Sequence, residues 1–139
     1  MLPSPLPPTA SGGGRDGHVK SSDDRIDLDT RPPKAVGGSG EGSNPEQLFA
    51  AGYATCFLGA LLLVARTDGV TLDSATGVTA QVGFGKDTDG GYGINAHMIG
   101  YLPGLAQREA DELMAKAHQV CPYSKATRGN IDVALSTKV

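Results

Sequence analysis

Two cysteines carry the chemistry that this sequence could perform. Cys56 lies in the middle of an apolar run, Tyr-Ala-Thr-Cys-Phe, and Cys121 follows 65 residues later in Val-Cys-Pro-Tyr. Two thiols of this kind are either inert core residues or a redox couple, because free cysteine is often buried and reacts only in particular surroundings. Their separation excludes a thioredoxin-type Cys-x-x-Cys motif.

The predicted positions of the two thiols give them different chemistry. Cys56 lies mid-helix, where the helix dipole has little effect and burial raises the pKa of the thiol, so it needs a cation from elsewhere in the chain. Cys121 is predicted at a helix C-terminus, where partial negative charge disfavours a thiolate. A redox couple would therefore use Cys56 as the attacking sulfur and Cys121 as the resolving one.

Arg15 is a candidate for the required cation. It stands in a glycine-rich segment, Gly-Gly-Gly-Arg-Asp-Gly, that is predicted to be a mobile loop. A guanidinium on such a loop can approach a buried thiol and keep its charge. The sequence alone does not favour Arg15 over Arg25, Arg31 or Arg128.

A structural zinc site is the competing use of the same residues. His118 and Cys121 are three residues apart on a predicted helix and could present two ligands on one side. Structural zinc usually takes four ligands. Cys56, His18 and His97 would have to complete the set without a supporting spacing.

Length and composition indicate a single domain over residues 1–139. Apolar residues make up 39% of the chain, the net charge is −3, and tryptophan is absent, so a nucleic-acid surface is not expected. Residues 1–14 have neither the cationic start nor the apolar core of a secretory signal. We therefore expect a cytoplasmic protein, in which a lasting structural disulfide is unusual.

The first long helix has clear boundary signals. Asn44, Pro45 and Gln47 match an N-cap, a first helical position and a capping box, and Gly69 matches a left-handed C-cap. The eighteen residues 48–65 carry no charge. The run lacks the flanking anchors of a membrane span, so we expect burial on all sides, with a second copy of the chain covering one face.

The remaining pattern predicts an α+β chain. A second helix is expected over 105–120, with an apolar side formed by Leu105, Leu113, Ala117 and Val120 and an end at Pro122. Strands are expected near residues 19, 26–28, 78–84, 92–98 and 131–135, and a loop over 32–43. The same order also fits a ferredoxin-like split βαβ unit. Residues 1–11 are expected to be flexible or irregular, and a strand there would be absent, short or at a sheet edge, because proline cannot donate to a ladder.

Three segments together resemble the organic hydroperoxide resistance (Ohr) proteins, a branch of the OsmC-type proteins. They are residues 13–17 (GGRDG), 44–57 (NPEQLFAAGYATCF) and 120–130 (VCPYSKATRGN). The resemblance extends from about Gly12 to the C-terminus.

The resemblance implies a thiol peroxidase that reduces organic hydroperoxides, including those of fatty acids, to alcohols. Cys56 would become a sulfenic acid and then form a disulfide with Cys121, while Arg15 stabilises the thiolate and Glu46 holds Arg15 by an ion pair. The family binds neither metal nor cofactor, and dihydrolipoyl groups on lipoylated proteins reduce the disulfide. The alternatives are a non-catalytic thiol stress sensor or binding protein, and the structural zinc-binding module.

The implied fold is an OsmC/Ohr-like intertwined homodimer, in which antiparallel sheets wrap around two central helices. Glu46 and Cys56 are ten residues apart, about 15 Å along an ideal helix. One arginine would therefore contact both residues only in an extended conformation that spans the distance between them. The alternatives are that Glu46 lies in an irregular first turn or comes from the other subunit. An organic peroxide needs an apolar channel, whose candidate walls are Phe49, Phe57, Ile99, Leu102 and Tyr123. Taken one at a time, each of these residues is better explained as plain core.

Overall fold

A computed structural model describes residues 6–139, and contacts divide the chain into two compact units, one ending at Leu48 and one running from Phe49 to Val139. We call them the N-terminal and C-terminal units. The single domain predicted over 1–139 stays a prediction.

The N-terminal unit contains an antiparallel three-stranded sheet. Its strands are β1 (Pro8–Gly13), β2 (Asp16–Ser21) and β3 (Asp27–Thr30), in the order β1-β2-β3. The prediction of a flexible or irregular segment over 1–11 is therefore wrong for residues 8–11, where the alternative of an edge strand is confirmed, while 1–5 lie outside the described residues. Because β1 is an edge strand, Pro8 at its start removes no ladder donor that the sheet requires.

The segment predicted as loop over 32–43 contains two local structures. Residues Lys34–Val36 form a short 3₁₀ helix that ends at Gly37, whose φ is 86°. Thr30 and Ser43 form an isolated parallel bridge. The prediction of plain loop is corrected to this extent.

Helix α1 (Pro45–Thr67) has the predicted boundaries. The Gln47 amide donates to the Asn44 side chain (2.9 Å) and the Asn44 amide donates to the Gln47 side chain (3.1 Å), which is the predicted capping box. At the other end Gly69 has a φ of 71° and its amide donates to the Arg66 carbonyl. The two signals fix the length of the helix.

Among the described residues, one side of α1 is buried and the other is exposed. The buried residues recur at helical spacing and are Tyr53, Phe57, Ala60, Leu61 and Ala65. Leu62 and Leu63 are about half exposed, at 49% and 47%. By length and composition alone α1 could cross a membrane, and 28% of its most apolar window is buried in the chain. The exposed apolar side is the one that the sequence analysis assigns to a second copy.

The C-terminal unit contains a second three-stranded sheet. Strands β4 (Gly77–Lys86) and β5 (Tyr92–Tyr101) form the predicted antiparallel hairpin, and β6 (Val133–Lys138) pairs with β5 in parallel. The sheet order is β4-β5-β6. The expectation of antiparallel sheets is thus incomplete, because the chain returns through helices before β6 and can lie parallel to β5.

Two helices connect β5 to β6. Helix α2 (Gln107–Val120) begins two residues later than predicted, so Leu105 precedes it, and Val120 is half exposed rather than on the buried side. Pro122 ends α2 as predicted but also begins a second helix, α3 (Pro122–Thr127). Helix α3 is not predicted from the sequence pattern, although proline favours the first position of a helix.

The core of the C-terminal unit lies between α1, α2 and β5. It includes Met98 and Leu102 from β5 and its end, and Leu113 and Met114 from α2. Gly100 allows the close approach of α2, since a Cβ there would lie 2.5 Å from the Met114 sulfur. This core fixes the helices that carry the two cysteines.

Candidate active site

The two cysteines lie side by side in the C-terminal unit. The Cys121 thiol donates to the Cys56 sulfur across 3.6 Å, and both residues are free thiols. Cys121 is fully buried and Cys56 is partly buried. The two sulfurs are therefore close enough to join after a small movement, since a disulfide needs about 2.05 Å.

Cys121 lies at the junction of two helices. Its amide donates to the Ala117 carbonyl (2.9 Å) at the end of α2, and its carbonyl accepts from the Lys125 amide (3.0 Å) in α3. The sequence analysis placed Cys121 only at a helix C-terminus. The structure corrects this position, because Cys121 is also the N-cap of α3.

The surroundings of Cys56 disfavour its thiolate. Burial raises the pKa of the Cys56 thiol, the adjacent Cys121 sulfur raises it further, and the backbone amide of Tyr123 lowers it by donating to the sulfur. Desolvation is the largest of these effects. A reactive Cys56 would thus need a positive charge, as its mid-helix position predicts.

Aromatic rings line the same part of α1. The Tyr123 ring lies 5.8 Å from that of Tyr53 and 6.3 Å from that of Phe49. Gly52 makes room for it, because a Cβ there would lie 3.1 Å from the Tyr123 hydroxyl. Phe49 and Tyr123, both predicted as channel walls, are therefore neighbours of one another, and Tyr123 is 41% exposed.

The other predicted channel residues lie deeper. Phe57 and Leu102 are fully buried in the core, and Ile99 is partly buried on β5. The Phe57 ring stacks on the His118 imidazole with centroids 6.4 Å apart. Their role as channel walls stays a prediction.

A buried polar network connects α1, α2 and α3, and the sequence analysis missed it. The Tyr53 hydroxyl bonds the hydroxyls of Ser124 (2.9 Å) and Thr127 (3.1 Å), and the His118 Nδ1 bonds Ser124 (2.8 Å). The available signal was the tyrosine within an uncharged helix, because a buried hydroxyl requires a partner.

Arg15 and Glu46 pair within the N-terminal unit. The two guanidinium Nη groups donate to the two carboxylate oxygens of Glu46, one of them at 3.1 Å. This bidentate pair lowers the pKa of Glu46 against the opposing effect of burial, and raises the pKa of Arg15. The predicted ion pair therefore forms within one chain.

Thr30 holds the turn that carries Arg15. The Gly17 amide donates to the Thr30 hydroxyl (3.0 Å), which in turn donates to the Gly14 carbonyl (2.6 Å). Thr30 is 4% exposed. Arg31, another arginine that the sequence left open, donates to the Gly17 carbonyl (2.9 Å) and so supports the same turn.

The residues weighed for a zinc site lie in separate hydrogen-bonding environments. His18 bonds Asp27 and Asp29 through its two ring nitrogens, and His97 Nε2 bonds Ser136 at 2.8 Å. Within residues 6–139, no group of three or more His, Cys, Asp or Glu side chains could hold a metal ion. Arg25 pairs with Asp23 and Arg128 donates to the His118 carbonyl.

Comparison with known proteins gives one consistent result. Residues 38–136 match the model of the OsmC-like protein family. An organic hydroperoxide resistance protein of Xanthomonas axonopodis pv. citri is 49% identical over 125 residues, which cover 89% of this chain and 87% of that protein.

Solved structures give the same result for the fold. The crystal structure of an organic hydroperoxide resistance protein from Legionella pneumophila aligns over 100% of both chains, with a TM-score of 0.90 and 42% identity. That of OhrB from Bacillus subtilis covers 96% of this chain and 97% of its own, with a TM-score of 0.85 and 46% identity.

Proposed function

This chain belongs to the Ohr branch of the OsmC-like protein family, and from that premise we propose that it is a cysteine-based organic hydroperoxide reductase. The names of its relatives support a role in resistance to organic hydroperoxides. The observation that carries the proposed chemistry is the 3.6 Å separation of the Cys56 and Cys121 sulfurs.

The first proposed step oxidises Cys56. Its thiolate attacks one peroxide oxygen, the O–O bond breaks, and the remaining alkoxide takes a proton and leaves as the alcohol. Cys56 then carries the hydroxyl as a sulfenic acid. The partly buried position of Cys56, beside the fully buried Cys121, is consistent with Cys56 as the first sulfur to meet a peroxide.

A cation is needed for this step, because burial raises the pKa of the Cys56 thiol. We propose that Arg15 supplies it and that Glu46 orients the guanidinium. The bidentate contact between Arg15 and Glu46 supports the orienting role of Glu46, because two parallel hydrogen bonds fix the direction of a guanidinium. The role of Arg15 as the cation is proposed from the family resemblance.

The second proposed step forms a disulfide. The Cys121 sulfur attacks the Cys56 sulfur, the S–O bond breaks, and the leaving hydroxide takes the Cys121 thiol proton and departs as water. The dithiol of a dihydrolipoyl group on a lipoylated protein would then reduce the disulfide and become a cyclic disulfide itself. This reductant is proposed from the family resemblance.

We propose that the substrate carries an apolar group next to its peroxide. The adjacent rings of Phe49 and Tyr123 offer a surface for such a group, and Tyr123 also donates its backbone amide to Cys56. Phe57, Ile99 and Leu102 remain proposed as deeper walls. A larger alkyl hydroperoxide would then be reduced faster than hydrogen peroxide.

The test is turnover of cumene hydroperoxide by the purified full chain with dihydrolipoamide. Multiple turnovers are expected from the wild-type protein and none from Cys56→Ser. A single oxidation per chain without turnover would contradict the enzyme and favour a thiol sensor. Stoichiometric zinc in the purified protein, together with a loss of structure when a chelator removes it, would favour the metal module.

A further inference from the structure

We propose that the buried hydroxyl network of Tyr53, Ser124 and Thr127 is a positioning device for the resolving cysteine. The network holds α3, whose first residue follows Cys121 directly. It acts mainly on disulfide formation and to a smaller extent, through the Tyr123 amide, on the first oxidation of Cys56. The inference rests on the proposed redox role of the two cysteines.

Helix α3 depends on tertiary contacts for its position. It has six residues, and a helix this short does not persist alone in water. Its buried residues are polar, namely Ser124 (0% exposed) and Thr127 (6% exposed). The Tyr123 ring adds an exposed aromatic contact with α1. Hydrogen bonds therefore provide the buried attachment of this helix.

The network has one consistent direction of donation. The Thr127 hydroxyl donates to the Ser124 carbonyl (3.2 Å), so Tyr53 must donate to Thr127. Ser124 then donates to Tyr53, and its oxygen accepts from His118 Nδ1–H. Each hydroxyl in this chain both donates and accepts, so one deletion leaves buried partners unsatisfied.

The attachment bears directly on the two sulfurs. Cys121 closes α2 and caps α3, and the Tyr123 amide in the first turn of α3 donates to the Cys56 sulfur. A shift of α3 would therefore change the S–S approach, now 3.6 Å, and the contact of Tyr123 with Cys56 together. Attack on a sulfenic acid requires such an approach, because misplaced reacting atoms lose rate steeply.

The experiment separates the two chemical steps. Reduced full-length protein is mixed with one equivalent of cumene hydroperoxide, and samples are quenched with dimedone to trap sulfenic acid and with an alkylating agent to count thiols. Thr127→Val removes the hydroxyl at nearly constant shape, and Thr127→Ser retains it. Thr67→Val is the matched control, because the exposed Thr67 hydroxyl bonds only the Leu63 carbonyl of its own helix among the contacts of the described chain.

We expect Thr127→Val to slow disulfide formation about tenfold, the equivalent of about 1.4 kcal/mol, and to slow sulfenic acid formation by a clearly smaller factor. Dimedone adducts should then accumulate. Thr127→Ser and Thr67→Val should behave as wild type. Tyr53→Phe, which retains the ring, should repeat the Thr127→Val result and serves in its place if that variant does not fold.

A second arm uses diamide, an azo compound that takes two electrons and two protons from a pair of thiols. It forms the disulfide without a peroxide, so slower closure in Thr127→Val would support the inference even if the wild-type protein failed to reduce cumene hydroperoxide. Wild-type closure rates in both Thr127→Val and Tyr53→Phe would overturn it. Equal slowing of both steps would overturn it as well.

Discussion

At the scale of single residues, the cysteines differ in burial and in partners. Cys121 is fully enclosed and donates its proton toward Cys56, which remains accessible in part. Sequence position alone assigned the same order of action, from weak dipole arguments. The difference in burial is consistent with the proposed order, because the more accessible sulfur is the easier one for a peroxide to reach.

Replacing Cys121 should separate the two steps of the proposed cycle. We expect Cys121→Ser to react once with cumene hydroperoxide and to accumulate a Cys56 sulfenic acid, because the second sulfur is absent. Mass spectrometry after dimedone trapping would measure one adduct per chain. Cys56→Ser is the control and should give no adduct. Normal recycling of Cys121→Ser by dihydrolipoamide would refute the two-cysteine cycle.

Two histidines should titrate in opposite directions from the usual pKa of about 6.5. Hydrogen bonds that the protonated His18 donates to Asp29 and Asp27 raise the pKa of His18, whereas burial and then the charge of Arg128 lower the pKa of His118. Since the pKa of His18 is raised on folding, its contribution to stability is complete below about pH 6.5 and is lost as pH rises through the higher folded value. NMR titration would measure both pKa values.

Asp29→Asn provides the control for that titration. It should lower the pKa of His18 by removing its largest stabilising partner and should leave that of His118 unchanged. A pKa of His118 above that of His18 in the wild-type protein would contradict the described hydrogen bonds.

At the scale of elements, the turn between β1 and β2 depends on a residue from β3. The Thr30 hydroxyl satisfies a donor and an acceptor on either side of Arg15, at Gly17 and Gly14. A buried hydroxyl with both functions used cannot be replaced by a methyl group without leaving backbone groups unpaired. The orientation of Arg15 is therefore set partly by the third strand.

We expect Thr30→Val to destabilise the protein by about 1–3 kcal/mol, the usual cost of an unsatisfied buried group. If Arg15 stabilises the Cys56 thiolate, the same variant should also slow alkylation of Cys56 by iodoacetamide at neutral pH. Denaturant unfolding and alkylation kinetics measure the two effects. Thr30→Ser should restore both, and unchanged stability in Thr30→Val would show that the two hydrogen bonds contribute little.

Elements with strong local signals were predictable from the sequence, and elements that depend on distant contacts were not. The capping box at Asn44 and the left-handed Gly69 fix the ends of α1 locally. Helix α3 escaped prediction because its buried side consists of Ser124 and Thr127, which show no apolar periodicity. Strand β1 was predicted only as one of three alternatives, because proline disfavours a strand except at a sheet edge, and an edge is a property of the whole sheet.

In the candidate site too, residues with a local sequence signal were predictable and residues defined by distant contacts were not. The cysteines and the Arg15–Glu46 pair were found by residue type and family resemblance. The supporting hydroxyls of Tyr53 and Thr30 were not, because their partners are far away in the sequence, at Ser124 and Gly14 respectively. Such contacts exist only after the helices and strands have packed.

At the scale of the whole molecule, α1 has an apolar side that residues 6–139 do not cover. Leu62 and Leu63 are about half exposed, and Gly59 and Thr55 lie on the exposed side as well. Burial of one leucine side chain contributes about 1.5–3 kcal/mol. A second copy that packed its own α1 there would bury Leu62 and Leu63 of both chains, because the same surface of each copy would form the interface. The cytoplasmic location expected from the sequence also remains a prediction.

We therefore expect a homodimer in sedimentation equilibrium at micromolar concentration, and we expect Leu62→Glu with Leu63→Glu to shift it to monomers. Two carboxylates in an apolar interface would lose their hydration without gaining partners. Val36→Glu is the control, because Val36 is 71% exposed in the 3₁₀ helix and should tolerate a charge. A wild-type monomer at these concentrations would contradict the prediction. So would a double variant that remains dimeric, because its interface would then lie elsewhere than on this side of α1.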